Sequence, residues 1–184
     1  MALQKMRSRI NVKGGGLFMI RELSPTPSDT FLDVGFLTSV QFEDEHNMVE
    51  IIDDRGLTIN YISGGESPKF TVVIKQSGID EINILKNAER KYYEGYYKVL
   101  CETTLIQEIN IPLFRFKPGP MMQFAAATER TLSLEGRALS VKAAMTRNPA
   151  GYNITIDSFF VIVENASALG VPVDTASSVA TALL

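Results

Sequence analysis

The sequence has no tryptophan, one cysteine (Cys101) and one histidine (His46) in 184 residues, and each shortage excludes something. A lone cysteine cannot close a disulfide within the chain, so the fold needs no oxidising compartment and cytoplasmic synthesis is the expectation. Cys101 sits in the strand-like run Tyr97-Lys98-Val99-Leu100-Cys101-Glu102, where a small buried residue is the commoner use than a nucleophile. His46 lies in the charged turn Glu43-Asp44-Glu45-His46-Asn47, where a solvated loop explains its polarity without a general base. No run of about 18 apolar residues is present to cross a bilayer. The basic start from Lys5 to Lys13 runs into Gly14-Gly15-Gly16 instead of a signal-peptide core, so no membrane partner is expected and the protein should stay where it is made.

Basic charge is also scarce. Eighteen Lys and Arg face 21 Asp and Glu, for a formal net charge of -3, which disfavours specific binding to nucleic acid. The glycines at 14–16 and 64–65 lack the Lys-Ser or Lys-Thr of a phosphate loop, so no nucleotide cofactor is expected. Glu43, Asp44, Glu45, Glu50, Asp53 and Asp54 are divided between two ends of a hairpin and follow no EF-hand spacing, so no metal is expected. With few tunable groups and no convergent ligand set, the chain reads as a non-enzyme.

What is present is a β pattern. Composition is 45% hydrophobic and 21% charged, enough for one domain with a sizeable core. After the turn-rich Ser24 to Asp29, the run Phe31 to Phe42 reads as a strand. Met48 to Ile52 and Leu57 to Ile62 flank Asp53-Asp54-Arg55-Gly56, a hairpin in which Leu57, Ile59 and Tyr61 share a period-two face and Gly56 supplies a positive φ. Gly64-Gly65-Glu66-Ser67-Pro68 then leads into Lys69 to Lys75, completing a three-strand meander.

Ser77-Gly78-Ile79-Asp80 has the form of a capping box, and Ile79, Ile82, Leu85 and Ala88 recur at spacings of three, predicting a helix from about Ser77 to Arg90. Strands return at Tyr96 to Glu102, Thr104 to Phe116, Met121 to Ala126, Thr131 to Lys142 and Tyr152 to Val163, with the last expected to be buried on both faces at its end. Residues 1–20 read as a flexible N-terminal arm, 21–165 as the β domain and 166–184 as a C-terminal arm. That last arm is either disordered or ordered on a neighbouring subunit.

The order Glu50-Ile51-Ile52-Asp53-Asp54-Arg55-Gly56-Leu57, then Gly64-Gly65-Glu66, then Phe70-Thr71-Val72-Val73-Ile74-Lys75-Gln76 and a short helix from Ile79 resembles phage tail tube proteins, across about residues 33 to 163. The resemblance implies a mainly β fold, a β-sandwich or distorted barrel with one flanking helix and extended termini. It implies a structural virion protein of the tail, a homo-oligomer whose hexameric rings stack into a tube for DNA passage. Its partners would be itself, other tail proteins and DNA that passes without specific binding. Ile51, Leu57, Ile59 and Tyr61 are then candidate subunit-interface residues. Glu43, Asp44, Glu45, Asp53 and Asp54 are candidates for an acidic channel lining, with a solvated outer loop as the alternative. Rival readings are a capsid cement or tail-completion protein, and a carbohydrate-binding β-sandwich module.

Overall fold

The computed structural model describes residues 16–43, 46–66, 68–75, 88–101, 105–117, 122–123, 131–142, 144–147, 154–156, 159–163 and 174–184. These form thirteen strands: β1 Gly16–Ser24, β2 Leu32–Asp33, β3 Phe36–Glu43, β4 His46–Ile52, β5 Thr58–Glu66, β6 Lys69–Lys75, β7 Tyr92–Cys101, β8 Leu105–Phe116, β9 Met122–Gln123, β10 Thr131–Ala138, β11 Met145–Arg147, β12 Ile154–Ile156 and β13 Val161–Val163. One α-helix, α1, spans Ala176–Leu183. Nine strands make an antiparallel sheet in the order β2-β1-β7-β8-β10-β6-β3, with β13 also on β8 and β9 on β10. The chain is mainly β, as expected, and the sheet stays open, ending at β2 and β3 instead of closing into a barrel.

Period-two alternation decides which side chains meet. On one face, Phe18 and Ile20 of β1, Tyr93 of β7, Ile111, Phe114 and Phe116 of β8, Leu132 and Leu134 of β10 and Phe70, Val72 and Ile74 of β6 form the main core. Phe70 is its centre, with ring centroids 4.9 Å from Phe114, 5.7 Å from Phe18 and 6.4 Å from Phe116. Those contacts bring strands from both ends of the sheet onto one ring, so the sheet coils strongly around it. Gly136 of β10 pairs with Phe70, and a Cβ there would meet the Phe70 ring at 2.2 Å; only glycine lets the ring lie flat on β10.

The opposite face is of mixed character. Leu23, Leu113 and Ile156 pack with Ala176, Val179 and Leu183 of α1 in a second, smaller core. Beside it, Met19, Phe31 and Tyr96 form a third cluster, and a row of buried polar groups crosses β1, β7 and β8: Arg21, Glu94, Lys98, Glu108 and Asn110.

Several expectations change here. The arm drawn over residues 1–20 overlaps β1, whose Gly16 to Ile20 pair with Val99 to Gly95 of β7; residues 1–15 lie outside the described residues. Of the arm over 166–184, the described part, 174–184, is not extended but ends in α1, which packs on the chain's own body. The helix predicted from Ser77 falls mostly outside the described residues, and its last three positions, Ala88–Arg90, form a 3-10 turn. The three-strand meander is replaced by a longer hairpin, because β6 pairs with β3 and β10 and not with β5. The strand expected to end buried on both faces is broken into β12 and β13, and Ile162 in β13 is 66% exposed.

Candidate functional site: a hairpin outside the sheet

β3 and β6 pair from Phe36↔Lys75 to Glu43↔Lys69, and the same two chain segments continue as β4 and β5, paired from His46↔Glu66 to Ile52↔Thr58. The first half of this long hairpin belongs to the nine-stranded sheet, whereas β4 and β5 form a two-stranded sheet of their own. Seven residues of β4 extend over about 20 Å at 3.3 Å per step. A two-stranded ribbon buries little apolar surface by itself, and this one leaves large apolar side chains in solvent: Ile52 is 56% and Leu57 61% exposed.

The tip is built by Asp53. Its Oδ1 accepts from the backbone amides of Arg55 at 2.9 Å and Leu57 at 2.8 Å, and its own amide donates to the Leu57 carbonyl at 2.9 Å. The Gly56 amide donates back to the Asp53 carbonyl at 3.0 Å, with Gly56 at φ +79° as the turn requires. The Leu57 amide above all holds the Asp53 carboxyl below its ordinary 3.8; desolvation opposes it, and the Arg55 amide and guanidinium add to the lowering.

A folded-state value below the unfolded one means that the turn's stabilisation is present above about pH 3.8 and is lost as pH falls through the lower folded value. We therefore expect the Leu57 and Arg55 amide resonances to shift together in an acid titration with a midpoint below 3.8, and Asp53→Ala to abolish that titration. Leu57 and Arg55 amides that ignore the Asp53 titration would show that the carboxylate does not hold the turn.

The candidate residues divide accordingly. Ile51 is half-buried and pairs with Asn60, while Tyr61 pairs with Glu50. The register shifts between Ile51 and Ile52, which pair with Asn60 and Thr58. Leu57 belongs to the turn, and Ile59 falls opposite that shift, between the paired Thr58 and Asn60. Ile52, absent from the expected set, is the better surface candidate; its position beside the acidic turn was the available signal. Thr58 Oγ1 donates to Glu50 on the same ribbon.

Among the described residues, Glu43 lies apart from Asp53 and Asp54. Glu43, at the base, accepts from Gln41 at 2.8 Å and pairs with Lys69 at 2.9 Å. Asp53 is committed to the turn, Asp54 beside it is exposed, and the length of β4 separates tip from base. Asp44 and Glu45 lie outside the described residues.

No protein-family model matches the sequence, and no curated protein matches it. Among solved structures, the chain is similar to one in the tail of an empty gene transfer agent particle refined with C6 symmetry, at 14% identity over 67% of this chain and 91% of that one, with a TM-score of 0.40. A chain of the virion of a native gene transfer agent particle matches at 11% identity over 67% and 91%, with a TM-score of 0.35. A chain of the six-fold symmetrised anti-feeding prophage baseplate matches at 7% identity over 80% and 96%, with a TM-score of 0.38. Scores this low do not establish a shared fold.

Proposed function

We propose that the chain is a structural protein of a phage-like virion tail, which acts by geometry instead of catalysis and assembles with its own copies into rings that stack into a tube. The observation that carries this reading is the β4–β5 ribbon. It leaves the sheet, has its turn closed by Asp53, and offers Ile52 and Leu57 to solvent. A monomer gains nothing from such an arm; a neighbour that covers it removes apolar area from water.

Two further features support the same reading. β3 ends the sheet order with one edge unpaired among the described residues, and an open edge is a template for another chain. Patches that differ from one another on one subunit give head-to-tail contacts, which close into rings when the rotation allows. The likeness of residues 33–163 to tail tube proteins supplies the hexamer and the passage of DNA. Among the described residues of the candidate lining, Asp54 is exposed at the tip and would face a bore, where repulsion of phosphate reaches about 10 Å at 0.1 M salt.

Sedimentation velocity over a range of concentrations tests the reading. Ring-sized species that grow into longer polymers are expected. A monomer at every concentration, as a sugar-binding module would give, contradicts it.

A further inference from the structure

Helix α1 and the polar row beneath it are joined. Arg21, 2% exposed on β1, donates from Nε to Glu94 Oε2 at 2.7 Å and from Nη1 to the Asp174 carbonyl, and its guanidinium lies 4.6 Å over the Phe31 ring. Glu94 in turn accepts from Tyr96 Oη at 2.7 Å. The Asp29 carboxylate accepts from the Ala176 amide at 2.6 Å, at the helix N-terminus, and Thr175 caps the same turn through the Ser178 amide. The start of the helix is thus held by two polar contacts to the body, from β1 and from the loop after it.

This arrangement is expensive to keep dry. A buried ion pair repays its desolvation only when its remaining hydrogen-bonding atoms are satisfied, and Arg21 Nη2 has no hydrogen-bond partner among the described residues. The apolar side of α1 belongs to a satellite cluster, Ala176, Val179 and Leu183 set against Leu23, Leu113 and Ile156 with half-buried neighbours such as Tyr92, Leu139 and Val161, and it shares none of its buried residues with the core around Phe70. Lifting α1 costs the contacts of that cluster and the two polar contacts at the helix start, and returns part of the cost by letting water reach Arg21 and Glu94.

We propose that α1 is a detachable cap over the Arg21–Glu94 pair, which opens as a unit while the sheet stays folded. Opening bares a strip of Leu23, Leu113 and Ile156 with a charge pair along its border. This inference does not depend on the role in a tail.

Native-state hydrogen exchange by NMR on the full chain tests it, followed at the α1 amides, at the Arg21 Nε–H and at β7 and β8 amides. The α1 amides and the Arg21 Nε–H are expected to exchange through one shared opening, faster than the β7–β8 amides and with a weaker denaturant dependence. Leu183→Ala should speed both by roughly thirtyfold or more, the effect of emptying a buried leucine site, and leave β7–β8 unchanged. Two results overturn the proposal: α1 amides that exchange only with global unfolding, or a Leu183→Ala variant that speeds α1 and not the Arg21 Nε–H.

Discussion

Replacing Phe70 by alanine is expected to lower the unfolding free energy by about 3–5 kcal/mol, the usual cost of removing a buried aromatic side chain. The ring is fully buried, touches rings from β1, β3 and β8, and lies over Gly136 of β10. Little around it can collapse to fill the space, because Gly136 has no side chain and Phe18 and Phe114 are held by their own strands. Against a typical total of about 5–15 kcal/mol, such a loss leaves the fold marginal. Denaturant titration of the variant gives the number, and a loss below about 1 kcal/mol would mean that the sheet does not coil around this ring.

The second large effect concerns assembly and not stability. Ile52→Asp combined with Leu57→Asp puts two charges on the ribbon at sites already more than half exposed, so the monomer should unfold within about 0.5 kcal/mol per site of the original. Burying two carboxylates in an apolar contact is costly enough to abolish it. The variant is expected to sediment as a folded monomer at concentrations where the parent polymerises. Normal polymerisation of a folded double variant would remove the ribbon from the subunit contact.

Much of the fold was legible because period-two strands between glycine-containing turns carry their own signal. The hairpin at Asp53 to Gly56, the strand from Lys69 to Lys75 and the strand ending at Phe116 lie where alternation and turn chemistry put them. β1 was hidden for a physical reason. Leu17-Phe18-Met19-Ile20-Arg21 is buried on both faces, so it shows no alternation, and its arginine reads as exposed until Glu94 is brought opposite it by the sheet.

Pairing was harder than strand existence. Nothing local in Lys69 to Lys75 says that it prefers β3 and β10 over the adjacent β5; that choice is made by Phe70 finding Phe114 and Gly136 across the sheet. The terminal helix had a faint signal, Thr175 as a cap and Ala176, Val179 and Leu183 at helical spacing, masked by a composition that resembles a tail. At the candidate site, the acidic turn was visible but its use was not. The sequence offers Asp53 as a candidate wall charge or a solvated loop residue and does not show that its carboxylate closes the turn.

The central claim is that copies of this chain build a ring through the β4–β5 ribbon. Electron microscopy of the concentrated purified protein tests it most directly. The account predicts closed rings or stacked tubes with the ribbon of each subunit, marked by a label at exposed Asp54, lying against a neighbour. Isolated monomers, or rings whose ribbons stand free of any neighbour, would contradict it.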